Sequence, residues 1–276
     1  MSRRRSLGRT VALVVLALVV GVALFGDFLT AYPYDQSNLL ARNEPPVFLG
    51  GSWDHPLGTD RLGRDMVARL VVAIRISIGI AAVGTLISMM IGTSLGLLAA
   101  RRGKAADDAV MGLVDLQAAL PFIIIALAIL AFFGRSLTIF IMLIGLYGWE
   151  VYARQVRGAA LAARNQPYIE AARAVGVTTG TIYRRHILPN ISNIIIVQAT
   201  LNFPQAILLE TGLSFLGLGI QPPLTSLGQL LGEGRDSLAS SWWVAVIPGT
   251  VIFLTTLAVS LLGDALRDRL DPTLRR

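Results

Sequence analysis

The residues best suited to polar chemistry lie in an apolar stretch in the second half of the chain. Gln198, Asn202 and Gln205 follow i, i+4 and i+7 spacing, so their amides share one face of a helix. Glu210 closes the same stretch. Amides form hydrogen bonds and a carboxylate attracts cations, so the four side chains are a candidate polar binding face. Two alternatives remain open: the amides could hydrogen-bond neighbouring helices, and Glu210 could be solvated or ion-paired near a membrane surface.

The sequence lacks the motifs of common nucleotide and metal sites. The phosphate-binding pattern G-x-x-x-x-G-K-[ST] needs a hydroxyl residue after its lysine, but Lys104, the only lysine, is followed by Ala105. There is no H-E-x-x-H motif, and His55 and His186 are isolated. The absence of cysteine excludes disulfides and iron–sulfur clusters. We therefore predict no catalytic residue, no metal site and no cofactor in this chain.

Composition assigns the chain to the membrane proteins. Of its 276 residues, 54% are hydrophobic and only 15% are charged, and the mean hydropathy is +0.65. Soluble domains carry about 25% charged residues. The net charge of +7 could suggest nucleic acid, but basic residues beside apolar segments are typical of membrane spans. We expect the chain to contact a lipid bilayer and no nucleic acid.

Apolar segments long enough to cross a bilayer recur along the chain. A helix needs about 20 residues to cross the hydrocarbon core. The segments that meet or nearly meet this length are 11–31, 76–100, 109–133, 137–153, 191–209 and 242–262. The third carries Asp115 and the fourth carries Glu150, and both acids are expected at helix ends, solvated or ion-paired. The glycines of the second segment are expected to allow close helix packing: Gly79, Gly84, Gly92 and Gly96. The prediction is an all-α membrane protein with six transmembrane helices.

The distribution of basic residues predicts the orientation. If the N-terminus is cytoplasmic, the inner segments 1–10, 101–108, 154–190 and 263–276 hold 17 of the 24 Lys and Arg residues. Cytoplasmic loops are enriched in these residues, so both termini are predicted to be cytoplasmic. The first segment could instead be a signal peptide, but no A-x-A cleavage site follows it.

The predicted inner loop 154–190 has the pattern of two short helices. Gly176 is a typical left-handed stop for the first helix, and Thr178 or Thr179 can cap the second. Pro189 is expected to end the second helix where the fifth span begins. The first helix presents Glu170 beside small residues that another surface could approach closely. From helix physics alone, a docking element for a cytoplasmic partner and a helix lying on lipid headgroups remain equally good interpretations.

The residue pattern of this loop favours the docking interpretation. Glu170-Ala171-Ala172, then Gly176, then Leu188-Pro189 resembles the signature loop of permease subunits in ATP-binding-cassette importers. His186 departs from the general pattern, which favours Ile there, yet "RHILPN" looks like the peptide-permease version. The segments "GTDRLGRD" (58–65), "LSFLGLGIQPP" (213–223) and "LLGDALRDRLDP" (261–272) also resemble the C-type permease subunit of bacterial dipeptide and oligopeptide importers.

The resemblance implies a type I importer permease fold with a five-helix core. Residues 1–71 would be the cytoplasmic N-terminus, first transmembrane helix and extracytoplasmic loop, 72–264 the permease domain, and 265–276 a cytoplasmic tail. The loop residues expected to couple the chain to an ATPase are Glu170, Ala171, Ala172, Gly176, Arg184, Arg185, Leu188 and Pro189. The residues expected along a translocation path are Gln198, Asn202, Gln205 and Glu210.

The resemblance also implies an assembly in the bacterial plasma membrane. A homologous second permease subunit would form a heterodimer with this chain, two cytoplasmic ATPases would bind ATP and Mg, and an extracytoplasmic binding protein would deliver a short peptide. This chain would not itself be an enzyme. An importer of nickel or glutathione with the same architecture remains an alternative, as does, from another class, an ion-coupled secondary carrier.

Overall fold

The computed structural model describes residues 2–270, and this part of the chain is helical without any β-strand. Its α-helices are α1 (Ser2–Phe25), α2 (Met66–Arg101), α3 (Lys104–Ala119), α4 (Phe122–Phe133), α5 (Leu137–Gly145), α6 (Trp149–Arg164), α7 (Pro167–Ala174), α8 (Thr179–Thr181), α9 (Leu188–Phe215), α10 (Leu227–Arg235) and α11 (Trp243–Leu270). A π-helix, Ile182–Ile187, joins α8 to α9. Of the predicted tail 265–276, residues 265–270 continue α11 and residues 271–276 lie outside the described residues.

The helices agree with the predicted six spans. Five stretches are long and apolar enough to cross a bilayer: Gly8–Leu29, Met66–Arg101, Leu137–Arg164, Thr179–Phe215 and Trp243–Arg269. Helices α3 and α4 qualify together as a sixth, but they are bent by 93°. The predicted straight span over 109–133 is therefore wrong in shape. The break lies at Leu120, whose backbone is extended because the following Pro121 disfavours a helical conformation in the residue before it.

The fifth span is longer than the sequence predicted. Pro189 was expected to separate a short helix from the span, but α8, the π-helix and α9 follow one another without a break from Thr179 to Phe215. Pro189 lies in the first turn of α9, where its missing N–H removes little. The predicted loop is correspondingly shorter, because α6 also extends to Arg164.

Helix α2 is the centre of the bundle, and glycines set how closely its neighbours approach. A Cβ added at Gly92 would lie 2.3 Å from the Trp149 carbonyl oxygen, and one at Gly96 would lie 2.6 Å from the Ala153 carbonyl oxygen. At Gly84 it would lie 2.5 Å from an Ile144 methyl carbon. Close packing is thus confirmed at these three glycines. It is wrong for Gly79, where an added Cβ meets no atom within 4 Å.

Residues 92–96, Gly-Thr-Ser-Leu-Gly, match the G-x-S-x-G pattern of a hydrolase nucleophile elbow. They lie inside α2, whereas the elbow is a sharp turn between a strand and a helix. The match therefore carries no catalytic meaning here.

Two ends of the bundle can be distinguished. The loop end carries residues 165–178, between α6 and α8, and the far end carries residues 39–65, between α1 and α2. At the far end, Asp65 caps α2 by accepting a hydrogen bond from the Ala68 amide at 2.8 Å. His55 contacts the same carboxylate through Nδ1 at 3.0 Å. This cap starts α2 at Met66, ten residues before the predicted start at 76.

Candidate functional site

The first helix of the loop, α7, is short and well fixed at both ends. Pro167 occupies its first turn, a position where the fixed φ of proline suits a helix. At its other end, Gly176 is left-handed with φ of 81°, and the Val177 amide donates to the Ala172 carbonyl at 3.0 Å. This is the helix stop that the sequence predicted.

One side of helix α7 packs against the bundle, and the other side is exposed to solvent. Ile169 is completely buried in a cluster that includes Val156, Ala160 and Ala163 of α6. Glu170 and Ala171 are exposed. A helix anchored by a buried isoleucine and displaying a carboxylate beside a methyl group offers a firm, shallow surface to a partner.

The remaining loop residues that the sequence singled out lie in the same region but on different surfaces. Ala172 and Leu188 are half-buried, and both pack against the cluster that holds Ile169. The others are exposed: Gly176, Arg184, Arg185 and Pro189. The second limb of the loop is formed by α8 and the π-helix, Thr179–Ile187. Thr178 caps it, as predicted, by accepting a hydrogen bond from the Thr181 amide at 3.5 Å.

The second limb of the loop contains a contact that the sequence did not reveal. The Tyr183 phenol donates a hydrogen bond of 2.7 Å to the Ala100 carbonyl at the end of α2. Ile182 and Ile187 on the same limb are buried in the cluster around Ile169. The loop is therefore bound both to α6 and to α2.

The predicted polar face of α9 divides into two environments. Gln198 is buried and accepts a hydrogen bond of 3.0 Å from the Gln155 amide of α6. Asn202 is also buried, with its amide nitrogen against Gly148. Gln205 is exposed on this chain. The geometry of Gln198 and Asn202 favours bonding and packing between helices, while Gln205 is free to meet a molecule outside the chain.

Glu210 lies in the interior, between three helices. Its side chain is completely buried and accepts hydrogen bonds from Ser214 at 2.7 Å and from Ser77 of α2 at 3.0 Å. The Ser77 hydroxyl in turn accepts from the Leu227 amide at the start of α10 at 3.0 Å. Among residues 8–269, whose side chains the structure describes, no arginine, lysine or histidine forms an ion pair with Glu210. It is thus neither at an exposed position nor ion-paired.

A buried ion cluster at the far end was not anticipated. Arg69 of α2 is 1% exposed and lies 2.7 Å from an Asp60 oxygen and 2.7 Å from a Glu233 oxygen of α10. Arg64 contacts the same two acids at 2.6 Å and 3.0 Å. Residues 58–65, which the sequence offered only as a family marker, are the last part of the far-end segment. Through Asp60 and Arg64 they bind this segment to α2 and α10.

Polar pairs also join α3 to α6. Asp115 pairs with Arg154 at 3.0 Å, with both side chains exposed, and Glu150 accepts a hydrogen bond of 2.9 Å from Gln117. Asp107 pairs with Arg157. The expected ion pairing is thus confirmed for Asp115. It is wrong for Glu150, which is half-buried and accepts a hydrogen bond from the neutral Gln117 instead. Within residues 2–270, His, Asp and Glu side chains form no group of three placed to hold a metal ion.

Comparison with known proteins places this geometry in a family. The sequence profile described as binding-protein-dependent transport system inner membrane component matches residues 92–276. A second profile, described as the N-terminal TM domain of oligopeptide transport permease C, matches residues 4–46.

Three curated relatives are similar over nearly their whole length. The di/tripeptide transport system permease protein DppC of Pseudomonas aeruginosa is 39% identical over 264 residues, which cover 95% of this chain and 87% of the relative. The glutathione transport system permease protein GsiD of Pectobacterium atrosepticum is 38% identical over 94% of this chain and 84% of its own length. The oligopeptide transport system permease protein OppC of Escherichia coli is 35% identical over 98% and 90%.

The fold has a solved counterpart. A chain of the MetNI methionine ABC transporter, in an inward-facing conformation, aligns with a TM-score of 0.60 and 21% identity. The alignment covers 73% of this chain and 96% of that one. The type I importer permease fold predicted from the sequence is confirmed by this match. With family profiles and full-length relatives in agreement, the chain belongs to the family of binding-protein-dependent transport system inner membrane components.

Proposed function

We propose that this chain carries short peptides across the bacterial plasma membrane and is driven by ATPase subunits that dock on α7. The observation that carries the proposal is the form of α7. It displays Glu170 and Ala171 to solvent while Ile169 is locked into the core beneath them. A push on such a helix moves the bundle rather than bending the loop.

The continuity of the loop with α9 supports this mechanism. The second limb, beginning at Thr179, passes through the π-helix into α9 without an intervening coil. Displacement of the loop by closing ATPases would therefore tilt α9 directly. Alternating access, in which the helices open the path first to one side and then to the other, follows from such a tilt. ATP and Mg would be bound by the ATPases and not by this chain.

The orientation proposed is that the loop end is cytoplasmic, as are both termini. The segment 154–190, which includes the loop end, holds six of the basic residues of the chain, and cytoplasmic segments are enriched in such residues. The far end would then face the extracytoplasmic binding protein that delivers cargo. A homologous second permease subunit would complete the path as a heterodimer.

Peptide cargo is proposed from the relatives, two of which are named for di/tripeptide and oligopeptide transport. Gln205 is the path residue best placed to meet cargo, because it is exposed on this chain, and its amide can hydrogen-bond a peptide group. Gln198, Asn202 and Glu210 remain proposed path residues only if helix movements expose them. Glutathione, itself a tripeptide derivative, is the second candidate because the GsiD relative is named for it.

Charge reversal on α7 tests the docking role. Glu170→Arg in the complete complex, expressed in native membranes, should leave membrane insertion intact while the ATPases no longer co-purify and dipeptide uptake is lost. Asp108→Arg is the matched control, because Asp108 is an exposed acid on α3 and the change in net charge is the same. Normal co-purification of the ATPases with Glu170→Arg would remove the docking role.

The source of energy separates the importer from a secondary carrier. Uptake of radiolabelled dipeptide by cells should stop on ATP depletion and persist when a protonophore dissipates the proton gradient while ATP is maintained. The opposite pattern would identify an ion-coupled carrier.

A further inference from the structure

We propose that Tyr183 is a positioning residue that locks the second limb of the coupling loop to the end of α2, so that α2 and α9 move as one body when the loop moves. The inference rests on the proposed docking of ATPases at α7, and it adds the connection by which loop movement reaches α2.

The hydrogen bond of Tyr183 is made where α2 needs a partner. The last four carbonyl groups of an α-helix find no hydrogen-bond donor within the helix. Ala100 is the second-last residue of α2, and its carbonyl accepts the Tyr183 phenol at 2.7 Å. The tyrosine side chain is only 6% exposed. Loss of the hydroxyl would therefore leave a carbonyl at a buried contact without its partner.

Packing around the bond keeps the limb against α2. Ile182 and Ile187, on either side of Tyr183, are 1% and 0% exposed. Ala100 belongs to the same buried cluster. At Gly180 an added Cβ would lie 3.4 Å from the Arg101 guanidinium, so the limb passes close to the end of α2 there as well. The contact is a fitted junction and not a single isolated bond.

The junction lies at one end of a long antiparallel pair. Tyr183 faces Ala100 near the loop end, and Glu210 is joined to Ser77 towards the far end. The residue numbers of each pair sum to nearly the same value, 283 and 287, as expected for antiparallel helices in constant register. Tyr183 and Glu210 are 27 positions apart, which corresponds to about 40 Å at a rise of about 1.5 Å per residue. Two hydrogen-bonded ties thus bracket the pair.

The natural chain has no cysteine, so pairs of introduced thiols can be spin-labelled without background from this chain, and the complex is assembled with partner subunits whose own cysteines have been replaced by serine. We choose Met90, an exposed residue of α2 that lies about 15 Å along the helix from Ala100, and His186, an exposed residue of the second limb. Pulsed electron paramagnetic resonance on the purified complex would measure the distance between the labels. The measurement is made without nucleotide and after trapping with ATP and vanadate, and it requires no cargo.

In the natural sequence background, the distance distribution should be the same in both nucleotide states. In Tyr183→Phe, which keeps the ring and removes the hydroxyl, vanadate trapping should shift the distribution to a new mean distance and broaden it, because the junction loses its directional bond. Tyr34→Phe, between α1 and the far-end segment, is the matched control and should behave like the natural sequence. Among residues 8–269, whose side chains the structure describes, the Tyr34 phenol has no hydrogen-bond partner.

Two results would overturn the inference. One is a distance that already changes on trapping in the natural sequence background, which would mean that the limb and α2 move separately. The other is a Tyr183→Phe distribution identical to the natural one in both states. Co-purification distinguishes these failures from failure of the proposed function. If the ATPases bind, unchanged distances in Tyr183→Phe reject the junction alone, and if they fail to bind the natural chain, both proposals are rejected.

Discussion

Replacement of Asp60 with asparagine should destabilise the protein more than the removal of the charge of Glu233, the other acid that faces Arg69. Asp60 is 2% exposed and its carboxylate accepts hydrogen bonds from the Leu62 and Arg64 amides at 2.8 Å and 2.9 Å. It also contacts the guanidinium groups of Arg64 and Arg69 at 2.6 Å and 2.7 Å. The variant therefore removes the most deeply buried counterion of Arg69.

The magnitude follows from the difference between the two acids that face Arg69. Breaking a buried ion pair by removing one partner destabilises by about 3–5 kcal/mol, because the remaining charge stays buried. Asp60→Asn should fall at the lower end of this range, because Arg69 keeps the partly exposed Glu233 as a partner. The Glu233 side chain is 33% exposed, and removal of its charge leaves Arg69 paired with Asp60. Glu233→Gln should therefore lower the free energy of unfolding by only about 1 kcal/mol. At about 2–4 °C per kcal/mol, Asp60→Asn should lower the unfolding midpoint by about 10 °C and Glu233→Gln by about 3 °C.

The assay is the fraction of detergent-purified protein that remains monodisperse on size-exclusion chromatography after heating. Asp115→Asn is the matched control, because its partner Arg154 and Asp115 itself are 56% and 72% exposed, and exposed pairs contribute about 0–1 kcal/mol. An Asp60→Asn midpoint within about 2 °C of the control would refute the claim that a buried ion cluster fixes the far end.

Three further predictions follow from the geometry. Gly92→Ala should lower the unfolding midpoint in the same assay, because the new methyl group meets the backbone of α6. Gly79→Ala adds its methyl group in open space, so it should leave the midpoint unchanged or raise it through helix propensity. Equal effects of the two variants would show that the packing difference is unimportant. Gln205→Leu should reduce dipeptide uptake without a change in midpoint, and Asn202→Leu should lower the midpoint as well, because only Asn202 is buried. A thiol introduced at Val175, which is 80% exposed, should react with an impermeant reagent in inside-out vesicles but not in intact cells, and the reverse would place the loop end outside.

The membrane class and the number of spans could be predicted because hydropathy depends on composition over about 20 residues. The ends of the helices could not be predicted from the same signal. Helix α2 begins at Met66, but its first turns contain Arg69 and Arg75. These charged residues made that segment look like part of a loop in the sequence. The charge of Arg69 can be buried because Asp60 and Glu233 neutralise it, and Glu233 lies 164 residues away along the chain.

The candidate site shows the same division. The stop at Gly176 and the cap at Thr178 could be predicted because both depend on backbone conformation within a few residues. The environment of the polar residues on α9 could not, because i, i+4 and i+7 spacing defines a face but not what covers it. The α6 side chain of Gln155 covers Gln198, while Gln205 is left exposed.

Helix α2 is the element through which both ends of the molecule are connected. At the far end, α10 is bound to it twice, by the Leu227 amide through Ser77 and by Glu233 through Arg69. At the loop end, Tyr183 binds its last turn. If docked ATPases move the loop and the Tyr183 junction holds, α2 must move. Since α10 is bonded to α2 near both of its own ends, it must either follow or break hydrogen bonds and ion pairs that are buried from water. The same contacts that stabilise the resting structure thus determine that a movement begun at the loop end is felt at the far end.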